Sequence, residues 1–533
     1  MKRFILTTKS HLMSISYMGI GVLCIACFLP PVYLFTDALF LPKYYLFLIG
    51  VALCLASFPV IMLRCKGNTQ ISAFIHVIFF TYAATALLEC LYTLFCTIQQ
   101  GIDNVGAYGT FDNPAGLALS LCVSLPMIAY LFCNTDKLTM KLLYVTACLL
   151  VVSTVLLTKS RTGTICMAMY VVVFVVYVVY RTSKQRKGHL IAYSLIVVIS
   201  LSFVLVYVTS TKTDSTSGRY FILQQSWEMI KEHPIIGFGT DGFEREYMLR
   251  QADYFRNNPS SRYNMLADDM QHPLNEFVYL WVNYGIFAPL LLLVSLTLPL
   301  FVYIHKRNTD GMWASLPLLS VSLFCLFSYA FYYQISWMAI ALSFLPMINT
   351  MFKKFRVIMT YLCLTMMTTA LILVAYIFVD SYHEYKWHDA YIMSVRGKHN
   401  NALEEYSSLY NYFKGNRFFL YSYAMAAFMA DDMCKAHSIM KECQQHWNGY
   451  NIELLYGDIC IYSRRYTEAE FHFRMAHSMC PVRFAPLEGL YKTYDIMGNT
   501  CARDSVANLI ETKSVKVFSS DVHRIKEKCK KRL

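Results

Sequence analysis

Apolar residues run along this chain in long blocks, without the strict alternation of strands or the one-sided periodicity of a surface helix. Blocks near the roughly 20 residues that cross a bilayer fall at 14–36, 44–63, 71–95, 115–133, 139–158, 162–180, 190–208, 277–304, 312–333, 336–352 and 357–379. Each predicts a helix, because lipid offers the backbone no hydrogen-bonding partner. The pattern breaks twice: residues 209–276 form a long polar interval between blocks, and residues 380–533 have ordinary polar composition. The expected fold class is all-α. It comprises a polytopic membrane bundle of about eleven spans over residues 1–379, with a large loop at 209–276, then a soluble helical domain over 380–533.

The short connections alternate in positive charge, which fixes orientation. One set carries Lys2 and Arg3, Arg64 and Lys66, Lys137 and Lys141, the run from Arg181 to Lys187, Lys306 and Arg307, and Lys353 to Arg356; the opposite set offers only Lys43, Lys159 and Arg161. The N-terminus is therefore expected in the cytoplasm, with the large loop and the tail on the far side.

The tail also repeats. Gly457, Ala469, Phe473, Ala476 and Pro481 match the small, small, aromatic, small and proline positions of a tetratricopeptide repeat. Ala424 and Ala436 keep the spacing one period earlier, Ala390, Ala402 and Tyr406 another period back, and a weaker unit follows at 491–509. Small residues at these positions let paired helices approach, so an α-solenoid of tetratricopeptide-like repeats is expected, with a protein or peptide as its partner.

Composition agrees with the membrane reading. Of 533 residues 56% are hydrophobic and 15% charged, mean hydropathy is +0.40, and soluble domains carry roughly 25% charged residues. The formal charge of +13 lies between apolar blocks rather than on one face, so the membrane, not nucleic acid, is the expected partner. The Met1-Lys2-Arg3 start leads into a spanning block without a cleavage site, and no removed signal peptide is expected. Of 18 cysteines, Cys434, Cys443, Cys460, Cys480, Cys501 and Cys529 lie in the tail, where an oxidising compartment permits pairing. Most others lie in apolar blocks and act as small hydrophobes; Cys24 and Cys27, at redox-motif spacing, are among these.

Gly237-Phe-Gly239-Thr-Asp-Gly242 fits GxGxxG, which signifies dinucleotide binding only within a strand–turn–helix unit. In a loop between spans the glycines are expected to turn the chain, and no cofactor is expected. Three other clusters share the far side. Lys159-Ser160-Arg161 joins two apolar blocks through a tight turn, leaving Arg161 at the membrane boundary, either as an anchor or as a bidentate partner for phosphate. Arg219 stands before an amphipathic stretch in which Phe221, Leu223, Trp227 and Ile230 recur at helical spacing. That stretch is expected along the membrane interface, with Arg219 and first-turn amides converging on an anion. His272-Pro-Leu-Asn275-Glu276 precedes a span; its histidine suits proton transfer, and its asparagine suits orienting the ring or a sugar.

In their order these pieces resemble the O-antigen ligase and polymerase superfamily of membrane glycosyltransferases. Thr110-Phe-Asp-Asn113-Pro114 looks like its F-x-N-P stretch, Ser160-Arg161 its Ser-Arg turn, Arg219 to Trp227 with His233-Pro-Ile-Ile-Gly237-Phe-Gly239 its R…W…HPLxGxG loop, and His272 to Glu276 with Gly285 its HxHNE…G. Leu274 departs from the pattern, standing where the family often has a second histidine. The resemblance implies a glycosyltransferase C-like bundle in a bacterial inner membrane and transfer of a glycan from undecaprenyl diphosphate. It implies Arg161 and Arg219 stabilising the leaving diphosphate, His272 as base, and Asn275, Glu276, Lys159, Ser160 and Asn113 binding substrate, with no metal. The acceptor is expected to be lipid A–core. A growing polysaccharide or a protein hydroxyl remains open, as do a transporter of lipid-linked glycans and a scaffold acting through its repeats.

Overall fold

The computed structural model describes residues 2–64, 69–100, 106–182, 213–354 and 356–530, and all their regular structure is helical. The chain divides into two compact units, Met1–Thr211 with Leu291–Tyr382, and Lys212–Leu290 with His383–Leu533.

Among the described residues five helices are long and apolar enough to span a membrane: Ile71–Gln99, Pro114–Cys133, Leu138–Leu157, Phe287–Lys306 and Thr360–Val395, all lying wholly or mostly in the first unit. Shorter apolar helices cover Met13–Ala26, Leu41–Ser57, Arg161–Val176 and Gln334–Ile348. The block at 190–208 lies outside the described residues. Helix Pro114–Cys133 is the hub. It packs against Thr69–Gln100, Leu138–Leu157, Arg161–Thr182 and Pro317–Cys325, and nearly all of it is buried. By contrast, Leu371, Ile372 and Phe378 stand exposed on the helix Arg356–Val395. Exposed side chains this apolar would be unfavourable in water and are at home in lipid.

Two blocks expected as single spans are broken. Within 312–333 the chain forms helices Thr309–Ser315 and Pro317–Cys325, then a 3₁₀ turn at Ala330–Tyr332. Pro317 has no N–H to continue the hydrogen-bond ladder. Within 277–304, helix Glu276–Tyr284 stops at Gly285 (φ 74°, ψ −176°) before Phe287–Lys306 begins.

The second unit joins the large loop to the tail. The loop supplies helices Thr213–Glu232, Gly242–Asn257 and Glu276–Tyr284, and the tail runs from His399–Phe413 through Ser520–Lys530 as helices packed mainly on their chain neighbours. Ala402, Ala424, Ala436, Ala469 and Ala476 are fully buried, and a Cβ on Gly457 would come within 2.7 Å of the Phe473 ring. Small residues thus stand where helices come closest. No two described cysteines are bonded.

Loop and tail share a core. Met229, Ile230, Phe243, Tyr247, Met248 and Val282 pack with Tyr450, Ala476, Met479 and Cys480. Gln251 donates to the Met479 carbonyl (2.7 Å), Asn448 Nδ2 to the Arg245 carbonyl (2.9 Å), and Arg483 pairs with Asp268. The amphipathic stretch after Arg219 therefore has a different neighbour from the one expected. Phe221 stacks on Tyr263, and Ile230 enters the shared core, so much of its apolar face packs on protein. Only Trp227 of the four expected interface residues is well exposed. Hydrophobic periodicity is the same whether protein or lipid covers it.

Burial pushes the His477 imidazole down to about 4, and its Nδ1 has no hydrogen-bond partner. A lowered histidine pKa means that the unfolded chain binds the proton first. Stability is therefore intact above pH 6.5 and falls as pH drops toward 4. Replacing His477 with glutamine should flatten that fall, by up to ~2 kcal/mol at pH 4 after allowance for the ring's partial exposure, as read from thermal unfolding against pH.

Candidate functional site

Helix Glu276–Tyr284 begins at an extended Asn275, whose Oδ1 accepts the Val278 N–H at 3.0 Å. The Asn275 amide oxygen thus caps a helix. Before it, His272 Nδ1 accepts the Leu274 N–H at 2.9 Å, holding Leu274 at φ 56°. A left-handed leucine costs roughly 1–2 kcal/mol, and the imidazole bond offsets part of this. With Nδ1 accepting, the neutral ring carries its proton on Nε2, which lies 3.7 Å from Glu276 Oε2. The Glu276 carboxylate is buried. His272 Nε2 and Glu276 Oε2 thus face each other at a distance longer than a direct hydrogen bond.

Behind the ring is a second layer. His272 stacks on Tyr279 with centroids 4.6 Å apart, and Tyr279 donates to Glu244 Oε1 at 3.1 Å. The same oxygen lies 2.9 Å from Arg417 Nη1 at the start of tail helix Arg417–Met429. Glu244 is only 4% exposed, and that guanidinium is paired with it in the interior. Glu244, Tyr279 and Arg417 were not foreseen. The nearest signal is the charged run Glu244-Arg245-Glu246 after the glycine motif.

The glycine motif explains how this helix ends. The segment after Pro234 crosses its C-terminus: Phe238 N–H bonds the Val282 carbonyl, Gly239 N–H the Asn283 carbonyl, each at 2.8 Å, and Trp281 Nε1 the Pro234 carbonyl at 2.9 Å. Carbonyls that a helix end leaves unpaired are thereby satisfied. A Cβ on Gly237 would lie 2.5 Å from Asn283 backbone, and one on Gly285 would collide with the Ile235 carbonyl. Backbone meets backbone there, as the expected turning role requires.

Arg219 is placed differently from expectation. It lies half-buried inside helix Thr213–Glu232, which starts six residues earlier, so first-turn amides do not converge beside it. Gly218 continues the helix instead of breaking it. That helix packs on Glu276–Tyr284, with Trp227 edge-on to Trp281 at 5.7 Å. Arg219, His272, Asn275 and Glu276 belong to the loop–tail unit. Asn113, Lys159, Ser160 and Arg161 belong to the other. There Ser160 Oγ accepts the Gly163 N–H at 3.2 Å, capping helix Arg161–Thr182, whose first residue is the half-buried Arg161. Exposed Lys159 sits at φ 52°. The helix N-terminus and two cations together favour an anion. Asn113 Oδ1 caps helix Pro114–Cys133, while its Nδ2 donates to Tyr333 at 2.8 Å and to Tyr329.

The described residues include helices long and apolar enough to span a membrane, and part of the chain is similar to a known family. Residues 146–293 match the family model described as O-antigen ligase. The match covers the sequence-predicted site residues except Asn113, and it does not reach Arg417. No curated protein matches the chain.

Proposed function

We propose that the protein transfers a glycan from undecaprenyl diphosphate to a hydroxyl of lipid A–core at the outer face of a bacterial inner membrane. The family match over residues 146–293 is the observation that carries this reading. It is supported by the paired His272 and Glu276 within the match. In the reaction the acceptor oxygen bonds the anomeric carbon, the bond to the diphosphate breaks, and the diphosphate leaves with the electron pair. Arg161 and Arg219 stabilise the growing negative charge, the former aided by the helix N-terminus it begins. The acceptor's proton passes to the Glu276 carboxylate, because the neutral His272 ring already carries a proton on Nε2 and presents that N–H toward Glu276 Oε2 at 3.7 Å as a positioning group. Because Nδ1 is engaged by Leu274, the acceptor faces the Nε2–Glu276 side. The proposal retains about eleven spans, a cytoplasmic N-terminus and a tail of tetratricopeptide-like repeats outside the membrane.

A protein acceptor is the second reading, favoured because the tail helices pack on the loop that carries His272. Both are tested by offering the purified chain an undecaprenyl-diphosphate glycan with lipid A–core and, in parallel, a periplasmic protein. Arg161→Ala and Arg219→Ala should each lower kcat by about 10²–10³. His272→Asn should fold normally, because its Oδ1 can replace Nδ1 as acceptor for Leu274, yet lose transfer. Full activity in His272→Asn would make the ring a purely structural element, and product on the protein alone would move the acceptor to polypeptide.

A further inference from the structure

We infer that the Pro234–Ile236 tip of the large loop, with Trp227, Trp281 and Tyr284 around it, is seated in lipid at the bilayer interface. The inference rests on the membrane reading of the apolar helices and is independent of glycan transfer.

The tip is apolar and faces outward. Ile235 is 63% exposed and Ile236 80%. Trp227 and Tyr284 are exposed as well, and Trp281 is half-buried. These side chains belong to one patch. Trp227 lies edge-on to Trp281, Trp281 Nε1 donates to the Pro234 carbonyl, and the Ile286 N–H donates to the same carbonyl at 3.1 Å. A contiguous apolar patch in the open marks an interaction surface. The backbone keeps it there: the Gly237 N–H bonds the His233 carbonyl at 3.0 Å, and the Phe238 N–H bonds Val282. Both isoleucines are presented by a fixed turn, so little ordering entropy is lost when the surface is covered.

Two observations name what covers it. The tip is fastened to Gly285 and Ile286, and the next residue opens the helix Phe287–Lys306, which is long and apolar enough to cross a membrane. That helix presents Phe287, 70% exposed, and exposed Leu290 in its first turn, so the apolar surface of the tip continues onto the start of a span. The second observation is composition. Two tryptophans and a tyrosine at the end of a span form the mixture that gathers where hydrocarbon meets headgroups.

Charge plays little part in the seating. Lys231 pairs with Glu228 at 2.6 Å and Arg250 with Glu232, so the flanking cations are already matched. Apolar area drives the contact, and a zwitterionic lipid serves as well as an anionic one. The helix Glu276–Tyr284 carries Glu276 at its far end, about 12 Å from Tyr284 at 1.5 Å per residue. Lipid that grips one end of this short helix thereby fixes the height of the His272 cluster at the other.

The test is photo-crosslinking of the full chain in phosphatidylcholine nanodiscs. Ile236→p-benzoylphenylalanine and Tyr284→p-benzoylphenylalanine probe the patch at two exposed positions, so failure of one variant to fold leaves the other as the readout. Phe471→p-benzoylphenylalanine, 56% exposed on tail helix Tyr466–Met479, controls for exposure. After irradiation, mass spectrometry should find phospholipid adducts at positions 236 and 284 and few at 471. A basic anchor gains about fivefold per cation on anionic lipid, whereas replacing half of the phosphatidylcholine with phosphatidylglycerol should change the yield at 236 by less than about twofold. Adducts at 236 and 284 no more abundant than at 471 would overturn the inference. So would a yield that climbs steeply with phosphatidylglycerol, or adducts to a second copy of the chain in place of lipid. Lipid adducts in a chain that shows no transfer would leave this surface standing and remove only the transferase reading.

Discussion

Replacing Arg417 with glutamine will free the loop that carries His272 from the tail, at a cost of about 3–5 kcal/mol. The carboxylate of Glu244 is almost wholly buried, and Arg417 Nη1 at 2.9 Å is its nearest cation, with Asp241 3.6 Å from the same nitrogen. Truncating the cation leaves a buried anion that water cannot reach, and unfolding relieves it. Two readouts should move together: the unfolding temperature falls, and protease cuts appear within 212–290. Combining Arg417→Met with Glu244→Leu should restore most of the stability, since a buried ion pair exchanged for apolar groups is often neutral. Transfer activity should stay low in that double variant, because Tyr279 loses its acceptor and His272 the fixed ring behind it. An Arg417→Gln protein as stable as the parent would remove the ion pair from its proposed role.

Gly285→Val should be similarly severe, by about 3–5 kcal/mol, and for a different reason. Its φ of 74° with ψ of −176° lies in a region that only glycine occupies readily. A Cβ there meets the Ile235 carbonyl, a backbone group that cannot swing aside. Gly239→Ala separates strain from collision, because Gly239 also has positive φ but its Cβ would meet nothing within 4 Å. It should lose only about 1–2 kcal/mol. Equal losses in the two variants, measured by unfolding of the purified chain, would show that the crossing at Ile235 is not as tight as described.

Much of the span-bearing unit is legible in the sequence because its signals are local. The block at 115–133 is bounded by Asn113-Pro114, a cap and a first-turn proline, and the helix runs Pro114–Cys133. The tail's small residues were read by spacing alone, and they are the ones buried where helices meet. The breaks at Gly285 and Pro317 were missed because hydropathy averages over a window and cannot register one residue's backbone direction. The site divides the same way. His272, Asn275 and Glu276 are neighbours in sequence and were found together, whereas Arg417 sits 173 positions after Glu244 and leaves no local mark. Arg219 reads as preceding the helix because the apolar periodicity begins only at Phe221, whereas the helix already runs from Thr213 through polar residues that carry no such mark.

The shared core of loop and tail also sets a timetable. Gln251 bonds the Met479 carbonyl across 228 positions of chain. At synthesis rates of roughly 5–20 residues per second, the loop waits on the order of 10–50 s for the surface that completes it. During that interval Phe243, Tyr247 and Met248 lack their partners Ala476 and Met479. The His272 cluster cannot take its final form until the tail has been made, so assembly of the site is coupled to near-completion of the polypeptide.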